Sequence, residues 1–246
     1  MERSEKAKKL YDTLHTIPLD YDKEYQQMMR NFIYGDVYQQ GTLDLKTREL
    51  IAIVANTTNH TLGTLKEHVV AGLNCDLSPI AIKEAVYQCT PYIGVGKVTD
   101  ALEVVNQTFI DYSIELPLCS QKTVTEETRF KKGFEVQSTA FTKEAIQGGH
   151  DQAPKELKHI QNYLSEYCFG DFYTRTGLEL KQRELITFIM LATLGGCENQ
   201  LRSHVGANIR VGNTRVLLIE AITQCIPYIG FPRTLNAISI INDVTL

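Results

Sequence analysis

Gly35-Asp36-Val37-Tyr38, followed by Leu43-Asp44-Leu45-Lys46-Thr47-Arg48-Glu49-Leu50-Ile51, decides the architecture because it occurs twice. The second copy reads Gly170-Asp171-Phe172-Tyr173, then Leu178-Glu179-Leu180-Lys181-Gln182-Arg183-Glu184-Leu185-Ile186, 135 positions later. Further on the offset is 136, and the match continues through His68-Val69 and His204-Val205, Glu84-Ala85 and Glu220-Ala221, and Gln88-Cys89 and Gln224-Cys225. It ends with Pro91-Tyr92-Ile93-Gly94 and Pro227-Tyr228-Ile229-Gly230. Self-similarity on this scale identifies a duplicated unit, with one residue inserted between the Arg-Glu pair and the histidine of the second copy.

Between the copies, residues 112–127 lose apolar periodicity and carry Pro117 and a run of Ser and Thr, as a linker does. The repeats are therefore expected over 1–112 and 128–246. Within each, the spacing predicts helix throughout. Asp44 caps a helix from Leu45 to about Asn56, with Leu45, Leu50, Ile51, Ile53 and Val54 as its apolar positions. Ser78-Pro79 is a cap followed by a first-turn proline, and Pro91 and Gly94 end the helix it starts. The β-branched C-terminus, with Ile238, Ile240 and Ile241, follows the same period. The expected fold class is all-α.

The chain has 246 residues with 43% apolar and 22% charged side chains, the profile of a globular protein with a sizeable core. A net charge of -4 argues against a nucleic-acid binder, which needs a basic patch. A mean hydropathy of -0.17 without a long apolar run argues against a membrane span. The charged N-terminus predicts no secretory leader. Six widely spaced cysteines, none in a Cys-x-x-Cys pair, fit reduced thiols of a cytoplasmic protein and offer no zinc or iron–sulfur spacing. Neither a metal nor a cofactor is expected.

The chemistry-bearing residues fall in a helix–turn–helix of each copy. In the second, a helix from Glu179 to about Leu194 meets Gly195-Gly196, a natural turn, and another begins near Cys197. With a rise of ~1.5 Å per residue, Glu184 stands ~16 Å before the turn and His204 ~12 Å after it, so the two face each other. Cys197, Gln200 and His204 are spaced to share a stripe. The first copy keeps Glu49 and His68 but has Thr61 and Thr64 for the other two groups. A carboxylate beside an imidazole fixes its tautomer and raises its basicity toward working pH.

The same pair also serves as a satisfied structural network inside a helical bundle. Cys197 at a helix start is placed for a lowered thiol pKa, or for packing as a small apolar residue. Cys89 and Cys225, mid-helix among Ile, Val and Ala, read as core. Tyr92 and Tyr228 follow a proline at a helix end, where the ring packs and the hydroxyl can reach a pocket. Arg48 and Arg183 are candidates to bind a substrate carboxylate, or to neutralise their neighbouring glutamates.

Leu-x-x-Arg-Glu-Leu-Ile, then Gly195-Gly196, Gln200-Leu201-x-x-His204, Glu220 and Tyr228-x-Gly230-x-Pro232 together resemble the carboxymuconolactone decarboxylase family, within the alkylhydroperoxidase D-like superfamily. The resemblance covers about 35–110 and 170–245. The first copy has Gly96 where Pro232 stands and lacks the Gly-Gly turn. It implies a compact helical fold, homo-oligomers, and either cofactor-free decarboxylation of a lactone or thiol-dependent peroxide reduction. The family's thiol relay, Glu-x11-Cys-x2-Cys-x3-His, falls on Glu49, Thr61, Thr64 and His68, and on Glu184, Cys197, Gln200 and His204 with one insertion. No complete cysteine pair survives, which leaves Cys197 alone for a peroxidase.

The leading expectation is therefore an enzyme acting on a small lactone or carboxylic acid. His204 and His68 would be its acid–base groups, oriented by Glu184 and Glu49. Arg183, Gln200, Tyr228, Arg48 and Tyr92 would hold substrate. The alternatives are a peroxidase centred on Cys197 and a non-catalytic ligand-binding scaffold. Packing of the repeats about a pseudo-two-fold axis, and a homotrimer rebuilding a ring of six repeats, complete the expectations.

Overall fold

The computed structural model describes residues 2–15 and 22–246. Among them the chain is helical and no strand occurs. The first repeat comprises α1 (Arg3–Leu14), α2 (Lys23–Arg30), a π-helical turn (Asn31–Asp36), α3 (Leu45–Asn59), α4 (Leu62–Asn74), α5 (Pro79–Gln88), α6 (Thr90–Ile93) and α7 (Val95–Asp111). The second comprises α8 (Arg129–Phe141), α9 (Lys143–Gln152), α10 (Lys158–Tyr163), a π-helical segment (Leu164–Tyr173), α11 (Leu180–Leu194), α12 (Glu198–Arg210) and α13 (Arg215–Thr245). No described helix is long and apolar enough to cross a membrane.

Asp44 accepts a hydrogen bond from the backbone of Thr47 and so starts α3, as its side-chain chemistry predicts. Ser78 occupies the cap position before Pro79, but its hydroxyl makes no cap bond. Gly94 ends α6 with φ 86°, and Gly230 breaks α13 at φ 74°, a conformation that disfavours any side chain. The inserted residue of the second repeat falls in the Gly195-Gly196 turn between α11 and α12, so the helices on either side keep their register.

In α3 every residue from Arg48 to Thr58 is buried, and in α11 every residue from Arg183 to Thr193. Helices buried all round occupy the middle of a bundle. These two pack on each other and, with α5 and α13, draw both repeats into one continuous core that includes Ile51, Ile53, Ile186, Phe188, Ile222 and Ile241. Reciprocal contacts mark the pseudo-two-fold relation. Arg48 donates to Gln224 of the other repeat at 3.0 Å, and Arg183 to Gln88 at 2.7 Å.

The recurring Gly-Asp pair fastens the outermost helix of each repeat. Arg3 at the start of α1 donates through Nε to Asp36 at 2.8 Å, and Arg129 at the start of α8 to Asp171 at 2.9 Å. Here the helices touch backbone to backbone. A Cβ on Gly35 would lie 2.9 Å from the Arg3 carbonyl, and one on Gly170 2.5 Å from that of Arg129.

Candidate active site

The two Glu–His pairs form as the helical-hairpin geometry requires. Glu49 on α3 meets His68 on α4, with Nδ1 to Oε2 at 2.7 Å, and Glu184 on α11 meets His204 on α12 at 2.8 Å. Both carboxylates are fully buried. Each fixes its imidazole with the proton on Nδ1, leaving Nε2 for chemistry.

Beyond this point the copies differ. In the first, the Tyr38 hydroxyl donates to the other oxygen of Glu49 at 2.7 Å, so both carboxylate oxygens are satisfied. Burial, reinforced by that carboxylate, pushes the Tyr38 phenol well above its ordinary pKa. In the second, the equivalent Tyr173 turns away, bonding Thr187 at 2.6 Å and the hydroxyl of Tyr92 at 3.2 Å. Oε1 of Glu184 is left buried without a donor. The cause is one substitution: position 187 of the second copy is Thr, and its equivalent in the first is Ala52. The Thr187 hydroxyl also receives Gln88 Nε2 at 3.0 Å, whereas Gln224 Nε2, facing the alanine side, has no acceptor.

The tyrosines after the paired prolines cross between repeats. The ring of Tyr228 stands 5.0 Å from that of His68, edge to face, and Tyr92 lies 6.2 Å from His204. Each site is thus completed by the opposite repeat. Cys89 and Cys225 are fully buried in the core.

A cavity of about 430 Å³ opens onto His68. Tyr34, Thr64, Glu67 and Tyr228 line it, with Lys23 and Arg30 also in its wall. His15, at the end of α1, stands 6.1 Å from His68 and bonds the Tyr34 hydroxyl through Nε2. Burial, then the neighbouring His68, lowers the pKa of His15 to about 4. The unfolded chain therefore takes up a proton near pH 6.5 that the native state refuses until about pH 4. Across this window the unfolded state binds more protons, so stability falls as the pH drops, by up to about 3 kcal/mol from this group. Urea melts of wild type and His15→Phe at both ends of the window should show a shallower acid loss in the variant.

Four expected site residues are placed otherwise. Arg48 spends its guanidinium on the carbonyls of Leu43, Val37 and Gln40 and on Gln224. Arg183 bonds Glu84 at 3.1 Å, Gln88, and the carbonyls of Arg175 and Thr176. Both arginines are consumed in the contact between repeats, and neither bonds a histidine. Gln200 is exposed, rotated toward solvent from the inward face that carries His204. Cys197 is the capping residue of α12 with non-helical φ -131°, so it leaves the stripe, and its thiol donates to the Leu191 carbonyl at 3.3 Å. Its pKa is raised, not lowered, because burial and then the adjacent Glu198 outweigh the helix dipole.

Tyr38 and Tyr173 belong to the duplicated motif, and their recurrence as hydroxyl-bearing rings was a legible signal of a site role. His15 has no equivalent histidine in the second copy and gave no such signal.

A 4-carboxymuconolactone decarboxylase of Acinetobacter baylyi is 29% identical over 121 residues, which span 49% of this chain and 90% of that protein. One repeat's length here thus corresponds to nearly the whole of the relative. The carboxymuconolactone decarboxylase family itself matches residues 23–107 and 158–243, one stretch in each repeat and together more than half the chain. The protein is a tandem-repeat member of the carboxymuconolactone decarboxylase family.

Proposed function

We propose that this protein is a lyase of the carboxymuconolactone decarboxylase type, using cofactor-free acid–base chemistry on a small carboxylated lactone or related acid. The carrying observation is the 430 Å³ cavity over a buried, hydrogen-bonded Glu49–His68 pair. That volume suits a small metabolite. Lys23 and Arg30 in the wall match a carboxylated ligand in charge. Loss of carbon dioxide leaves an electron pair that a conjugated carbonyl takes up as an enolate. His68, protonated at Nε2 and steadied by Glu49, returns the proton to carbon and is recharged from water. The A. baylyi relative, a 4-carboxymuconolactone decarboxylase, favours this reaction class.

The test is a screen of carboxylated lactones for carbon dioxide release and loss of the lactone, beside peroxide consumption. Turnover of a lactone supports the reading; peroxide consumption that depends on Cys197 would replace it. Because the Cys197 thiol is held in its protonated form, Cys197→Ser should leave lactone turnover unchanged. Binding of such acids without turnover would favour a non-catalytic scaffold. Six free cysteines suit a reducing, cytoplasmic compartment.

The assembly we propose is a homotrimer. Tyr25 and Met28 on α2 are 59% and 52% exposed, and their counterparts Ile160 and Tyr163 on α10 are 46% and 54% exposed. Equivalent apolar faces on both repeats suit self-association. Light scattering should return three times 27.8 kDa, and a stable monomer at micromolar concentration would contradict the proposal.

A further inference from the structure

The duplication supplies an internal control for His15. Counting twelve residues on from the arginine that starts each outer helix leads to His15 in α1's wake and to Phe141 at the end of α8. Counting from the Gly-Asp motif pairs Tyr34 with Phe169 in the same way. The two ring pairs have nearly the same geometry. His15 and Tyr34 lie 5.4 Å apart at 65°, and Phe141 and Phe169 lie 6.0 Å apart at 85°. Each pair adjoins its own catalytic-type histidine, His15 at 6.1 Å from His68 and Phe141 at 5.0 Å from His204. Packing at this place is therefore met by two phenyl rings. A hydrogen-bonded imidazole and phenol stand there only in the first repeat, where His68 lines the 430 Å³ cavity.

We propose that His15 and Tyr34 form a second polar pair of the first-repeat site, in which Tyr34 donates its hydroxyl proton in a hydrogen bond to a substrate oxygen that gains negative charge, and His15 positions Tyr34. This deepens, and rests on, the reading of that cavity as the working site. Tyr34 lines the cavity, and its phenol keeps its proton because burial raises its pKa well above the ordinary value. His15 is neutral at working pH and carries a single ring proton. Placed on Nε2, that proton is donated to the Tyr34 oxygen, which turns the phenolic proton toward the cavity. No proton leaves either residue. The developing enolate oxygen is stabilised by a donor already in place, which is worth most in a buried site. His15 lies outside the two stretches matched by the family, whereas Tyr34 lies inside the first, so the pair joins α1's end to the matched stretch.

The test transplants the second repeat's solution into the first, as His15→Phe/Tyr34→Phe, alongside Tyr34→Phe alone. Thermal melts should show both variants folded, since the same ring pair already packs in the other repeat. With a lactone that wild type turns over, both should lose about 10²-fold in kcat at little change in KM, the effect of removing one oxyanion donor. A kcat within twofold of wild type in the double variant, with His68→Ala still inactive, would overturn the pair's role and leave the proposed function standing. If wild type turns over no lactone, the function fails separately, and 4-nitrophenol decides the pair. Its coloured phenolate form should bind wild type about tenfold better than Tyr34→Phe, the worth of one charge-assisted hydrogen bond. Lys23, Arg30, Glu67 and His68 also face that cavity and are the same in both proteins, so they cancel in the comparison. Equal phenolate binding would overturn the proposal.

Discussion

His68→Ala is expected to lower kcat for the cognate lactone by about 10²- to 10⁴-fold, the usual worth of a positioned acid–base group. His204→Ala should leave most of the turnover. The two histidines share the same helical hairpin and the same carboxylate bond, so the difference comes from what surrounds each pair. Glu49 has a donor on each oxygen and holds its imidazole in one orientation. Glu184 has lost its tyrosine to Thr187, and the rings of Phe141 and Tyr92 stand beside His204 where the first site has His15 and Tyr228. Steady-state kinetics of the two alanine variants, with melting curves to confirm folding, decide the matter. Equal losses would mean that both repeats work, and loss only in His204→Ala would reverse the assignment. Glu49→Gln should act through His68, lowering kcat more than it raises KM, because the neutral amide no longer favours the charged imidazole.

Glu84→Ala is expected to destabilise the protein by about 3–5 kcal/mol, against about 1 kcal/mol for Glu220→Ala. The two glutamates are equivalent by sequence but not by environment. Glu84 is buried and receives both Arg175, through a forked contact at 2.9 Å, and Arg183, whose side chain is 1% exposed. Removing it leaves a guanidinium buried without its countercharge. Glu220 is half-buried and accepts from the backbone of Thr42 at 3.0 Å, while Arg48 is satisfied by carbonyls and Gln224. For a chain of this size, the larger loss lowers the melting temperature by about 10 °C. Urea unfolding of both variants measures the contrast. A loss in Glu84→Ala no larger than in Glu220→Ala would show that Arg183 finds other compensation.

The sequence carried the duplication, the helical class and the facing of each glutamate on its histidine. These depend on local quantities: residue period, cap and turn chemistry, and a fixed rise per residue, which together set the height of every side chain in a hairpin. Azimuth and neighbours are not local. Whether Arg183 points to a pocket or to the other repeat depends on α5, almost a hundred residues away in sequence, and Gln88 and Glu84 on that helix claim it. Spacing alone puts Gln200 on the stripe of His204, but the packing of α12 turns it outward. Cys197 left the same stripe because a capping residue does not have helical backbone angles.

The Arg-Glu motif, read twice, therefore determined that there would be two buried Glu–His pairs, and it could not determine what would surround each. That was decided by tertiary contacts between the repeats and with α1. Tyr228 crosses to His68, Thr187 draws Tyr173 away from Glu184, and Arg3 anchors the helix that brings His15 to the first site. The physical reason is that a hydrogen-bonding side chain in a crowded core takes the partner offered by packing, and a single hydroxyl at position 187 is enough to change the offer.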